Sequence, residues 1–176
     1  MLLKAEKIID RFSDFLGNVS AIIFLLMLAN VFIDVLMRYV FNDVSIAMQE
    51  MEWHLYAAMF MLGVPYTLRT GGHVRVDLVY EGLSVKRKSI IDIAGGLLFL
   101  LPFCLLVGWY GVGFAHEAYL LGEKSGDPGG LTHRWIIKAV IPFAFFATAV
   151  SGVAMILNAI IALKDEHETH SDRGLL

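Results

Sequence analysis

Apolar residues in this chain gather into four long blocks separated by short polar stretches, and none of the blocks alternates between apolar and polar positions. Period-two alternation would mark half-buried strands, and membrane-spanning strands would need alternating units of about ten residues. Unbroken apolar runs predict helices instead, since about 20 helical residues cross roughly 30 Å of hydrocarbon. The expected helices cover about residues 15–37, 46–68, 90–110 and 135–163. The expected fold is an all-α integral membrane protein with four transmembrane helices. Residues 1–164 form a single membrane domain, and residues 165–176 form a polar cytoplasmic tail.

Composition agrees with the pattern. Hydrophobic residues make up 57% of the 176 positions and charged residues 18%, below the quarter usual in soluble domains. The mean hydropathy is +0.67. A signal peptide is excluded at the start, because the flank MLLKAEKIIDRFSD carries three acids and the apolar run that follows outlasts an h-region. An uncleaved first helix is expected. Cys104, the single cysteine, falls inside the third apolar block, so packing is its expected role.

Orientation follows from the basic residues. Lys4, Lys7 and Arg11 precede the first helix, Arg69, Arg75, Lys86, Arg87 and Lys88 lie between the second and third, and Lys164 and Arg173 follow the fourth. Ten therefore fall on one side against four on the other, Arg38, Lys124, Arg134 and Lys138. The positive-inside rule then places both termini and the connection between helices two and three in the cytoplasm.

Polar residues inside the helices are few. Asn30, Asp34 and Arg38 recur every four residues on helix one, where the acid precedes the base in the favourable order and an ion pair that neutralises itself is expected. Helix two opens with SIAMQEMEWHLY, which puts Gln49, Glu50, Glu52 and His54 in its first turns beside the interfacial aromatics Trp53 and Tyr56. Glu50 and His54, one turn apart, face either the helix dipole and solvent or a partner in a hydrated cavity. Helix three carries Asp92 near its start and Pro102, which is expected to kink it. Helix four presents Ala144, Thr148 and Gly152 at four-residue spacing, a small face suited to close helix packing. The loop LLGEKSGDPGGLTHRW has the chemistry of tight turns.

Several chemistries are excluded. No G-x-x-x-x-G-K-[ST] loop is present to cradle phosphates. No Cys/His cluster has zinc spacing, and no nucleophile has an obvious base, so neither a metal site nor catalysis is expected. A net charge of −3, with basic residues spread along one membrane face, argues against nucleic acid. What remains is transport, electron transfer or an accessory role.

The run QEMEWHLYAAMFMLGVPYTLRTGGHVRVDLVYEGLSVKRKSIID resembles the signature region of the small, DctQ-like membrane subunit of tripartite ATP-independent periplasmic transporters. The later GEKSGDPGGLTHRWIIKAVIPF resembles the loop and fourth helix of a mannitol/chloroaromatic-type subgroup. HVRVD is the most specific part, with Glu50, Trp53 and Gly63 at matching places upstream. The resemblance implies a four-helix subunit that braces a large multi-helix permease in the bacterial inner membrane. A soluble periplasmic protein would capture an organic acid, and sodium would drive the uptake. No cofactor is implied, and the partners are the large permease subunit, the periplasmic binding protein and membrane lipid.

A different class is a four-helix anchor of a respiratory complex that binds haem through His54 and His116, both near the outer membrane face. A self-sufficient carrier is disfavoured because internal repeats and broken helices are missing. HVRVD interleaves His73, Arg75 and Asp77 with Val74, Val76 and Leu78, so the connection between helices two and three is amphipathic and suited to the interface. Its polar residues are candidate contacts to neighbouring helices or to the large subunit, together with Glu50, Glu52, Trp53, Asp34 and Arg38.

Overall fold

The computed structural model describes the backbone of residues 2–72, 80 and 82–173, and side-chain surroundings within residues 7–164. His73, Arg75 and Asp77 lie outside the described residues. The architecture is all-α. Helix α1 covers Leu2–Val40, α2 Ile46–Arg69, α3 Val85–Gly95, α4 Leu101–Leu120 and α5 Trp135–Arg173. A π-helical turn, Gly96–Leu100, joins α3 to α4 without interruption. The five-residue turn has a local cause. Pro102 offers no N–H and its ring crowds the carbonyl four residues back, and the Leu101 amide bonds to the Gly96 carbonyl five residues back instead of four. The kink expected at Pro102 is thus resolved as a widened turn just before it.

Helix α2 starts at Ser45, whose hydroxyl accepts from the Met48 amide, and stops at Gly71, whose φ of 68° only glycine adopts without strain. Three ties fix its register on α1. Asn30 Nδ2 donates to the Met48 carbonyl at 2.9 Å, the Ser20 hydroxyl to the Met59 carbonyl at 2.7 Å, and Arg69 pairs with Asp10 and Asp14. As the α1 partner steps back from 30 to 10, the α2 partner advances from 48 to 69, so the two helices are antiparallel along nearly all of α2.

Helix α5 is the centre of the bundle and touches α1, α2, α3 and α4. Half of its most apolar stretch is buried, against 6% for α1 and 11% for the α3–α4 rod. Leu16, Leu62, Ala144 and Ala147 form the core between α1, α2 and α5, with Phe12, Val19, Ile23, Met61 and Val140 packed against them. The expected small face of α5 is used within the chain, because Ala144, Thr148 and Gly152 are buried. A Cβ on Gly152 would come within 2.7 Å of Leu100. A second small stripe on α4 answers it: Cys104, Gly108, Gly111, Ala115 and Ala118 are buried. Gly108 lies under the Phe146 ring and Gly111 against Pro142. The Ser13 and Ser151 hydroxyls, both buried, meet at 2.8 Å and tie α1 to α5.

One expectation changes. Among the described residues, three helices rather than four are long and apolar enough to cross a membrane: Lys7–Val40, Val85–Leu120 and Trp135–Lys164, with mean hydropathies of 2.5, 2.5 and 2.2. Helix α2 is long enough, at 24 residues and about 36 Å. Gln49, Glu50, Glu52 and His54 in its first turns and Tyr66, Thr67 and Arg69 in its last dilute its apolar character. The helical backbone of α5 runs on through Arg173, into the stretch expected to be a polar tail.

Candidate functional site

The polar residues of the bundle concentrate at its two ends. At the end holding the α4–α5 loop, Glu50 occupies the second turn of α2 and is buried. Its carboxylate reaches across to the loop: the Ser125 hydroxyl donates to Oε1 at 2.5 Å and the Leu131 amide to Oε2 at 2.6 Å. Hydrogen bonds to an ionised acceptor are roughly twice as strong as neutral ones, so one side chain pins both arms of the loop. The loop closes on itself through Ser125 N to Leu131 O at 2.9 Å, Gly130 N to Asp127 O at 3.0 Å and Arg134 N to Glu123 O at 3.1 Å. Gly122 and Gly129 supply the positive φ angles that these turns require.

Next to this pin the Arg134 guanidinium lies 5.4 Å from the Trp53 ring, and His54 packs on the same ring at 3.9 Å. Lys138 pairs with Glu123 and sits 4.0 Å over the Phe114 ring. Beneath them a groove of about 380 Å³ runs between α2 and α5, lined chiefly by Ala57, Met61, Phe114, Ile137, Val140 and Ile141. Glu50 and Trp53 are therefore brought together with the loop, whereas Glu52 is exposed.

On α1 the expected ion pair forms. Asp34, 3% exposed, pairs with Arg38, which is half-buried. Asp34 Oδ1 and Arg38 Nε are buried without a partner. Asn30, on the same face, is spent on pairing with α2.

At the opposite end, Asp10 and Asp14, one turn apart, converge on Arg69, and the Tyr80 hydroxyl donates to Asp92 Oδ2 at 2.7 Å with Lys88 5.4 Å from the Tyr80 ring. Asp10, Arg69, Lys88, Ser89, Asp92 and Ser151 line part of a cavity of about 310 Å³ there, beside apolar residues such as Leu68 and Met155.

The haem reading finds no support. His54 Nδ1 lies 2.6 Å from the Glu50 carbonyl, His116 is exposed on α4, and neither lines the groove between them. Among the described residues no group of three or more His, Cys, Asp or Glu could hold a metal ion.

With this geometry in place, the comparison with known families is decisive. The family described as tripartite ATP-independent periplasmic transporters, DctQ component, matches residues 27–162. The chain belongs to this family. The DctQ match begins late in α1 and ends near the close of the apolar part of α5, so it includes the Glu50 pin, the loop and the groove. Membership and the long apolar helices together make the chain a multi-pass protein of the bacterial inner membrane and a component of a transporter. The uncharacterized protein y4mM of Sinorhizobium fredii (strain NBRC 101917 / NGR234) is 24% identical over 132 residues, which are 72% of this chain and 22% of that protein. This DctQ chain thus spans about a fifth of the length of the curated relative it matches.

Proposed function

We propose that the chain is the small permease subunit of a sodium-coupled, binding-protein-dependent carrier of organic acids, and that it braces a larger multi-helix membrane subunit. One observation carries the reading: most polar side chains at the two ends of the bundle, Glu50, Arg69, Lys138 and Asp92 among them, hold the chain's own helices and loop together, while the outer faces are apolar. Phe15, Ile22, Leu25 and Phe32 on α1 and Leu98, Phe99, Trp109 and Tyr110 on the α3–α4 rod are more than half exposed. Such faces suit hydrocarbon or an apolar partner helix. A carrier acting alone needs broken helices that meet at the bilayer midplane. Among the described transmembrane helices the irregularities are a π turn at Gly96–Leu100 and the interior prolines Pro65 and Pro142, and none of these breaks its helix. The stretch of y4mM similar to this chain is about a fifth of that protein, which fits a module that works attached to further protein.

Two finer elements belong to the proposal. Helix α2 crosses the membrane as the fourth span, sheltered between α1 and α5, with both termini cytoplasmic. His73, Arg75 and Asp77 contact neighbouring helices or the large subunit. Substrate choice would then rest with the other components.

The test is affinity recovery of the full chain from gently solubilised membranes, followed by reconstitution. A larger permease is expected at equal stoichiometry. Uptake is expected with that subunit, a periplasmic binding protein and a sodium gradient, without ATP. Sodium-driven uptake by this chain alone would overturn the accessory role.

A further inference from the structure

The groove beside Trp53 is built for an amphipathic anion. Trp53, Ala57 and Met61 follow one another at four-residue spacing, so they share a face of α2 and form one wall about 12 Å long. Ile137, Val140 and Ile141 of α5 form the other wall and Phe114 of α4 the floor. Trp53 and Phe114 are 43% and 47% exposed, so the groove opens sideways rather than being sealed. An open apolar groove facing hydrocarbon is filled, since a void leaves its lining without contacts.

The mouth indicates what enters. Lys138 is committed to Glu123, and both Glu50 oxygens are held by the loop. Arg134 lies over the Trp53 face, and the Glu50 carboxylate feels its charge, but among the described residues it makes no ion pair or side-chain hydrogen bond. Five N–H donors in a planar fork are left at the rim, the geometry that suits phosphate. Trp53 marks this rim as headgroup depth.

We propose that one acyl chain of a phospholipid from the leaflet on the loop side lies in this groove, with its phosphate accepting from Arg134. The lipid fills the space between α2 and α5 at the end where α2 is most polar, and packs on the three helices that the Glu50 pin holds together.

The test uses the full chain with Trp109→Phe and Trp135→Phe, leaving Trp53 as the one tryptophan, in nanodiscs containing phosphatidylglycerol brominated on its acyl chains. Trp53 fluorescence should be quenched saturably at a low brominated fraction and restored by unbrominated phosphatidylglycerol. Ala57→Phe, which fills the groove, should remove the saturable component. Arg134→Gln should reduce the preference for phosphatidylglycerol over phosphatidylethanolamine about fivefold, the worth of one basic residue at an anionic surface. Quenching that tracks the bulk brominated fraction in every variant would overturn the proposal. An unchanged headgroup preference in Arg134→Gln would overturn it too. Unaltered quenching in Ala57→Phe with loss of a co-purifying larger subunit would overturn it as well, by making the groove a seat for protein.

Discussion

Glu50 and Ser125 lie 75 positions apart and share a hydrogen bond of 2.5 Å, which makes one residue of α2 the anchor of the loop between α4 and α5. The second Glu50 oxygen takes the Leu131 amide, so the two arms of the loop depend on the same carboxylate. Glu50→Leu should raise amide exchange at Ser125 and Leu131 most. Glu50→Gln should do so less, because its carbonyl can keep Leu131 while the Ser125 hydroxyl turns to accept from the amide. Ser125→Ala should release its own arm alone. Exchange near Met59 should stay at the parent level in all three. Equal protection of the loop in every variant would mean that its internal turns hold it unaided.

Close contact between α4 and α5 makes a sharper claim about stability. A Cβ on Gly108 would stand 2.8 Å from the Phe146 ring, whereas one on Gly113 would meet nothing within 4 Å. Overpacking a tight contact costs about 1–3 kcal/mol, while alanine exceeds glycine in helix propensity by up to about 1 kcal/mol. Gly108→Ala should therefore lower the thermal unfolding midpoint in detergent, and Gly113→Ala should leave it level or raise it. The reverse order would show that α4 does not press on α5 at Gly108.

How much of this was legible in the sequence depends on how local each signal was. The helices were, because uninterrupted apolar runs report themselves. The Asp34–Arg38 pair and the small face of Ala144, Thr148 and Gly152 were also readable, since each lies within one helix at four-residue spacing. Glu50 was placed correctly at the start of α2, but its role was not legible. Its partners, Ser125 and Leu131, sit in a loop whose Gly, Pro and Asp content speaks only of turns. Arg69 was similar: it counted as a topological charge, and only the packing of α1 on α2 brings Asp10 and Asp14 to it. The weak span signal of α2 has a related reason. Helix α2 has the length of a span, yet its polar ends are satisfied by neighbours distant in sequence.

The HVRVD stretch carries the clearest test of docking. If it served topology alone, any basic residue would do and Asp77 would add nothing, since acids weigh little in the positive-inside bias. Arginine is not replaceable by lysine where its planar fork is used. Arg75→Lys and Asp77→Asn should each lower recovery of the larger subunit or uptake, whereas Arg87→Lys should not. Parent-level assembly and uptake in all three variants would reduce the stretch to a topological marker.

Whether α2 crosses the membrane decides the whole topology, because leaving it out reverses every later segment. With α2 crossing, ten basic residues share the side of the N-terminus. With three spans and the N-terminus inside, the inner set would be Lys4, Lys7, Arg11, Lys124, Arg134 and Lys138. The eight others would lie outside, and the bias would vanish. The register of α2 on α1 points the same way, since Arg69 returns to Asp10 and Asp14 near the start of the first span. Reporters inserted after Lys88 and after Leu163 should therefore read cytoplasmic, and one near Gly126 periplasmic. A chain truncated at Gly72 should give a mixed reading, because Glu50 then lacks the loop that satisfies it and α2 lacks the cover of α5. Periplasmic readings after Lys88 and Leu163, with a cytoplasmic one near Gly126, would establish three spans and leave α2 on the outer surface.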